Sequence, residues 1–166
     1  MRLAIALAVV MGLLISMEHS AHWQGWMTPL NVGLAQATEL LLGQMDLPVA
    51  RHGAVLAHPD GFSYRIGYVC AGIRPAVLVL VTLLIVPASW TARIIGLAVA
   101  LVGIEALNLL RLVHLYWTGV VDPDAFHVAH RLTWNIIAVV AVSVFLAAWL
   151  AICGRRRATQ QRIQSL

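Results

Sequence analysis

Long apolar segments interrupted by very few charges constrain the fold of this chain more than any other feature. Three of them, Ile73–Ser89, Ile94–Trp117 and Leu132–Cys153, are candidate membrane spans. The last alone would cover roughly 33 Å at about 1.5 Å per residue, which is enough for the hydrocarbon core of a bilayer. Charged residues make up only 11% of the sequence, whereas a soluble domain carries about 25%. The sequence therefore predicts an integral membrane α-helical protein.

A shorter apolar run, Leu3–Met17, lies near the N-terminus. Its length suits both a short span and the core of a signal peptide. We favour an uncleaved N-terminal anchor over residues 1–20, because His19 would occupy a position at which the cleavage pattern requires a small residue. With this anchor, the prediction is about four transmembrane helices in a single membrane domain of residues 1–166.

The region between the anchor and the next apolar segment differs in character. Residues 29–46 are apolar at helical spacing but include Asn31 and Glu39, which predicts an amphipathic helix at the membrane interface. Residues 47–69 are rich in strand formers on either side of His58-Pro59-Asp60-Gly61, where Pro-Asp-Gly favours a tight turn. They predict a small β-hairpin outside the hydrocarbon, because open sheet edges cannot face lipid.

Arginine placement predicts the orientation. The tail of residues 154–166 contains the run Arg155-Arg156-Arg157, and short cytoplasmic segments carry an excess of Lys and Arg. We therefore place the tail in the cytoplasm, which puts the hairpin, Cys70 and the loop Thr118–Ala129 outside. The prediction is a multi-pass protein of the cell inner (plasma) membrane. No basic face with interleaved aromatics is present, so no nucleic-acid partner is expected.

Cys70, Arg111 and His130 each lie at or near the outer end of an apolar segment in this topology. A thiol, a fixed cation and an imidazole at one surface are the parts of a thiol acyl-transfer site. Simpler interpretations stay open, since a cysteine is usually a small buried apolar residue and Arg111 can extend to the interface. Asn108, three residues before Arg111, supports its functional interpretation. Cys153 lies at the opposite face and is interpreted as structural or incidental.

Two further histidines need an interpretation. His127 precedes His130 by three residues, a spacing that also occurs in metal-binding pairs. Cys70 would be the only obvious further ligand, so a site of Cys70, His127 and His130 is an alternative, and no metal or cofactor is predicted. His114, one turn beyond Arg111, is interpreted as an interfacial residue.

These residues resemble the motifs of the exosortase/archaeosortase family of membrane transpeptidases. The resemblance depends on Cys70-Ala71-Gly72-Ile73, on the Asn-x-x-Arg that ends at Arg111, and on His130 before the last span. It extends from about Leu30 to Trp149, with residues 70–153 as the catalytic core. It implies that Cys70 is the nucleophile, that Arg111 stabilises charge and that His130 transfers protons. Serine or threonine is common in the family at the position of Ala71, and many members carry additional spans before the cysteine.

The resemblance also implies an activity. Such an enzyme cleaves a substrate protein near its C-terminal sorting signal through a thioacyl intermediate and transfers it to a cell-envelope acceptor. Besides the lipid bilayer, the expected partners are substrates with a sorting signal, a transmembrane segment and a basic tail. The alternatives are a membrane cysteine protease without transfer, a non-enzymatic envelope assembly protein and a metal-handling membrane protein.

Overall fold

The computed structural model describes residues 21–67 and 70–164, together with Gly12. The predicted N-terminal anchor of residues 1–20 lies, apart from Gly12, outside the described residues. In chain order the elements are α1 (Ala21–Gln44), β1 (Ala50–His52), β2 (Val55–Ala57), β3 (Ser63–Arg65), α2 (Ile73–Ile85), α3 (Trp90–Val121), α4 (Pro123–Val128), a π-helical turn (Ala129–Thr133) and α5 (Trp134–Gln164).

Helix α1 is longer than the helix predicted over residues 29–46. It begins at Ala21 and contains Pro29 inside the helix, a residue that more often marks a helix start. Its apolar face is buried through Leu34 and Leu42 against the sheet and α3. On the same helix Glu39 forms an ion pair with Arg51 of β1, with 2.6 Å between Oε2 and Nε. The helix therefore packs on protein, and its position at a membrane interface stays a prediction.

The strands form one antiparallel sheet in the order β1-β2-β3. The sheet has three strands where the sequence predicts a two-stranded hairpin over residues 47–69. The first predicted strand is divided at Gly53, whose φ of 63° is readily adopted only by glycine and reverses the chain. The predicted turn at Gly61 lies between β2 and β3, where the His58 amide donates to the Phe62 carbonyl at 2.7 Å. Strand β3 ends at Arg65, five residues before Cys70.

The apolar helices differ from the predicted spans in length. Helix α2 ends at Ile85 instead of Ser89, and its 13 residues cover about 20 Å. Helix α3 has 32 residues and covers about 48 Å, more than the roughly 30 Å hydrocarbon core. Within the described part of the chain, Trp90–Val121 and Pro123–Arg155 are the two helical stretches long and apolar enough to cross a membrane. The number of four spans stays a prediction.

The loop predicted over Thr118–Ala129 is almost entirely helical. Only Asp122 lies outside the helices, and its Oδ1 accepts hydrogen bonds from the amides of Asp124 and Ala125 at 3.1 and 3.0 Å. Pro123 follows at the first position of α4, where a missing N–H costs nothing. The cap and the proline replace the loop with a tight corner, because together they start a new helix immediately.

Among the described residues three hydrophobic cores lie along α3, and the smallest is formed by Leu115, Ala129 and Trp134. The first joins α1, the sheet and the C-terminal half of α3, and the second joins α2, the N-terminal half of α3 and α5. In the second core Gly96 leaves room for Trp149, whose Nε1 donates to the Ala92 carbonyl at 3.3 Å. In the first, Gly119 leaves room for the Phe62 ring. The segment that carries Cys70 leads from the first core into α2.

Candidate active site

Cys70 is held in a buried position between the sheet and α2. The residue is 4% exposed and belongs to the first core, with Tyr64 and Leu112. Its amide donates to the Gly67 carbonyl at 2.9 Å. Two residues later, Gly72 caps α2 with a φ of 66°, a left-handed conformation that residues with a Cβ seldom adopt. The chain therefore turns sharply just after the thiol.

His130 approaches Cys70 from the π-helical turn of Ala129–Thr133. The distance between Cys70 Sγ and His130 Nε2 is 3.9 Å. The ring of Phe126 stacks on the imidazole, with centroids 5.7 Å apart and planes 16° from parallel. Single π-turns occur frequently at functional sites because the extra residue changes where the following side chains point. Here the thiol and the imidazole come together from segments 60 residues apart.

Arg111 contacts the main chain of the histidine instead of its ring. Its Nη2 donates to the His130 carbonyl at 3.5 Å, which is at the long end of the hydrogen-bond range. Its Nε is buried and has no hydrogen-bond partner in the described part of the chain. The guanidinium thus has a hydrogen-bond partner inside the protein. This contact favours an internal role for Arg111 over simple extension of its side chain to the membrane interface. One donor of its fork is left unused, and a buried donor without an acceptor costs about 1–3 kcal/mol.

Asn108 contacts the backbone of the cysteine itself. Its Nδ2 donates to the Cys70 carbonyl at 2.6 Å, in a buried position. The carboxyl of Glu105, one turn earlier on α3, lies close enough to the Asn108 side chain to interact with it. The sequence indicates Asn108 as support for Arg111, whereas the structure places it on Cys70.

Sequence reasoning missed Tyr64. Its hydroxyl is buried and donates to the Leu112 carbonyl at 2.9 Å, tying β3 to α3. Burial raises the pKa of the Tyr64 hydroxyl above its ordinary value, and both Cys70 and Arg111 lie near enough to act on it electrostatically. The sequence signal is the alternation Ser63-Tyr64-Arg65, a ring between two polar residues, which in a strand points the ring to the opposite face from its neighbours.

Three other candidates of the sequence lie elsewhere. His127 is exposed and packs edge-on against Phe126. His114 accepts a hydrogen bond at Nδ1 from Trp134 Nε1 at 3.2 Å. Cys153 is buried in the second core, apart from the core of Cys70. No three His, Cys, Asp or Glu side chains among the residues that the structure describes are grouped to hold a metal ion.

A cleft of about 630 Å³ opens next to these residues, between α2, α3 and α5. One end is lined by polar groups that include Asn108, Arg111 and the indole of Trp134. The remainder is lined mainly by apolar side chains, among them Leu78, Val99, Val142 and Leu146. Gly72, two residues after Cys70, also lines the cleft, so a narrow apolar segment lying in it would pass close to the Cys70 segment.

The arrangement has the parts needed for acyl transfer. Cys70 offers a nucleophile that attacks as its thiolate, and the His130 nitrogen lies where it can take the thiol proton. Arg111 places a permanent cation on the same side of His130, and a cation favours the developing anion. The roles of these residues stay predictions, because proximity alone does not show reaction.

Comparison with known proteins adds one finding. A family model described as transmembrane exosortase matches residues 1–147. No curated protein and no solved structure matches the chain.

Proposed function

Because the chain belongs to the transmembrane exosortase family, whose members are membrane enzymes of the peptidase and transpeptidase type, we propose that it is a cysteine transpeptidase. It cleaves a C-terminal sorting signal of membrane-anchored substrate proteins and transfers them to a cell-envelope acceptor. The observation that carries this proposal is the 3.9 Å contact between Cys70 Sγ and His130 Nε2. The family predicted from the sequence is confirmed by the match, and the substrate, the acceptor and the mechanism are the proposal.

The first half of the reaction forms a thioacyl enzyme. His130 Nε2 takes the Cys70 proton as the sulfur attacks the scissile carbonyl carbon, and a C–S bond forms while the carbonyl oxygen becomes an oxyanion. Arg111 donates to that oxyanion through its fork, where a preorganised donor is worth about 2.7–4 kcal/mol. The C–N bond then breaks, and His130 gives its proton to the leaving amine.

The second half regenerates the thiol. The acceptor, an amine or hydroxyl group, loses its proton to His130 as it attacks the thioester carbon. A second tetrahedral oxyanion forms at Arg111 and collapses, the C–S bond breaks, and His130 returns the proton to Cys70. If water takes the place of the acceptor, the same groups perform hydrolysis, so the product decides between transpeptidase and protease.

The cleft supports a substrate with an apolar C-terminal segment. It combines a mainly apolar lining with a polar end at Asn108 and Arg111, so an apolar span entering it would present the residues just outside the membrane to Cys70. We propose that the site faces the extracytoplasmic side of the inner membrane. The basic tail of the substrate would then lie in the cytoplasm, as positively charged segments do.

Mass analysis of protein C-termini tests the proposal even where no substrate has been identified. Membrane proteins from cells with the wild-type enzyme should lack C-terminal apolar segments that are retained in cells with Cys70→Ala or Cys70→Ser. Arg111→Lys keeps the charge but loses the planar fork, and we expect it to slow processing by about 10²-fold.

Cys153→Ala is the matched control and should process substrates as the wild type does. Each variant must accumulate in the membrane to similar levels, so that lost processing does not reflect lost protein. If the Cys70→Ala strain had the same processed C-termini as wild-type cells, the cysteine mechanism would be refuted. New C-termini that end in a free carboxylate, with no attached acceptor, would identify a protease instead.

A further inference from the structure

We infer that Asn108 is a positioning residue that holds Cys70 in line with His130, and that Glu105 in turn orients Asn108. The inference depends on the proposed function only in treating Cys70 as the nucleophile. Neither residue touches the reacting atoms in this scheme. Both act through the backbone of the cysteine.

Hydrogen bonds restrain the backbone of Cys70 on both sides of its Cα. On one side its amide donates to the Gly67 carbonyl at 2.9 Å. On the other side its carbonyl accepts from Asn108 Nδ2 at 2.6 Å, a short hydrogen bond between residues 38 positions apart. With both peptide planes held, the Cα–Cβ direction is set, and only rotation about χ1 remains to bring Sγ to His130.

Burial makes this restraint strong. Asn108 and Cys70 are 6% and 4% exposed, so little water competes for the carbonyl. A hydrogen bond in a low-dielectric interior is stronger than one in water, and losing it leaves a buried acceptor unsatisfied. Since a misplacement of about 1 Å can cost 10²-fold in rate, a restraint on the nucleophile has a direct catalytic consequence.

Glu105 completes the arrangement from the next turn of α3. It lies three residues before Asn108, a spacing at which side chains on a helix meet, and its carboxyl is close enough to the Asn108 side chain to interact with it. An acidic residue inside an apolar helix is costly and normally has a partner. We take Asn108 as that partner, and the contact between the two side chains limits the rotation of the amide that holds Cys70.

Gly72 allows α3 to approach the cysteine segment. A Cβ at Gly72 would lie 3.1 Å from Glu105 Oε1 and 3.1 Å from the Ile104 side chain, and the residue has a φ of 66°. The carboxyl of Glu105 therefore occupies space that any larger residue at position 72 would need. Cys70 and Gly72 thus contact Asn108 and Glu105 of α3 within one small region.

Infrared spectroscopy of the Cys70 carbonyl tests the inference directly. In a Cys153→Ala background, cysteine labelled with ¹³C at its carbonyl marks Cys70 alone, because the sequence has two cysteines. We expect Asn108→Leu to shift the labelled band to higher frequency, since the carbonyl loses its donor. Asn31→Leu is the matched control, because Asn31 is another buried asparagine, on α1, and it should leave the band in place.

Processing rates provide the second measurement. We expect Asn108→Leu to lower the rate by about 10²-fold, and Glu105→Leu by about 10-fold. Glu105→Gln retains a hydrogen-bonding group and should recover most of the loss of Glu105→Leu. If Asn108→Leu does not accumulate in the membrane, Asn108→Ala replaces it in both measurements.

The outcomes separate this inference from the proposed function. An unshifted carbonyl band in the Asn108 variants would overturn the inference, as would a Glu105→Gln rate as low as that of Glu105→Leu. Either result leaves the proposed function intact. Normal processing by Cys70→Ala, by contrast, would refute the proposed function while a shifted band still showed that Asn108 holds the carbonyl.

Discussion

At the scale of single residues, neutral side-chain donors to backbone carbonyls connect distant segments. Asn108 donates to Cys70, Tyr64 to Leu112, and Tyr116 to Pro48 at 2.6 Å. Each bond joins α3 to the sheet or to a segment flanking it. In a chain with 11% charged residues, hydroxyl and amide groups provide this connection because a buried neutral donor costs much less to desolvate than a buried ion.

Tyr64→Phe tests one of these bonds. We expect the free energy of unfolding in detergent at neutral pH to fall by about 1 kcal/mol, because the Leu112 carbonyl loses its donor. The pH dependence gives a second signature. Burial raises the pKa of Tyr64 in the folded state, while an unfolded tyrosine ionises near pH 10. Above about pH 10 the unfolded chain releases a proton that the native state keeps, so the wild type loses stability as pH rises, by at most about 1.4 kcal/mol per pH unit.

The variant lacks this ionisation, and its stability should fall less steeply above about pH 10. Tyr116→Phe removes another hydroxyl bonded to the main chain, here the Pro48 carbonyl, and is the control for the loss of such a bond at neutral pH. If the free energy of unfolding fell equally steeply with pH in the wild type and in Tyr64→Phe, Tyr64 would not stay protonated in the folded protein.

At the scale of elements, glycines set how closely α3 packs on its neighbours. An ideal Cβ at Gly119 would overlap the Phe62 ring of the sheet segment, whereas one at Gly103, on the same helix, meets nothing within 4 Å. The contact at Gly119 brings α3 close to the sheet and so fixes the depth at which Tyr64 and Tyr116 reach their carbonyls.

Gly119→Ala should therefore destabilise the protein by about 1–3 kcal/mol, because overpacking forces the ring or the helix to move. Gly103→Ala should have no steric cost and at most a small stabilising effect from lower chain entropy. Unfolding of the two variants in detergent provides the comparison. Equal stabilities would mean that the Phe62 ring moves aside without cost.

Helix boundaries show how far the sequence predicts elements. The corner at Asp122 has recognisable signals, since Asp-Pro is a common helix start. The division of the first strand at Gly53 and the π-turn at His130 have weaker signals. The residues on both sides of Gly53 favour one longer strand, so the break there is not evident from the sequence. A π-turn inserts one residue into a helix and does not change the composition. Such features depend on neighbouring packing and not on local propensity.

At the scale of the whole molecule, the sheet is at one end of α3 and the second core, with Cys153 of α5, is at the other. The first core surrounds residues near the C-terminal half of α3 and the second lies near its N-terminal half. Because α3 covers about 48 Å, one of its ends must project beyond the hydrocarbon. The sheet packs at the end near Tyr116 and Gly119, so we expect that end to lie in water.

Labelling of introduced cysteines tests this orientation. In a background without Cys70 and Cys153, an impermeant maleimide applied to intact cells should label Asp60→Cys, in the exposed turn of the sheet. Thr91→Cys, exposed at the opposite end of α3, should react only after the membrane is permeabilised. Labelling of Thr91→Cys in intact cells, with Asp60→Cys protected, would reverse the predicted topology.

The amino-acid sequence by itself determined the class of the protein and its family, and it singled out Cys70, Arg111 and His130 as candidates. Composition and the order of motifs are local properties, and they do not depend on packing. Only the tertiary structure decided how these residues meet. It placed the thiol at the histidine ring, directed Arg111 to a backbone carbonyl, and moved Asn108 from the arginine to the cysteine. Such contacts join segments far apart in the chain, so their geometry depends on how the helices and the sheet pack, which no local pattern records.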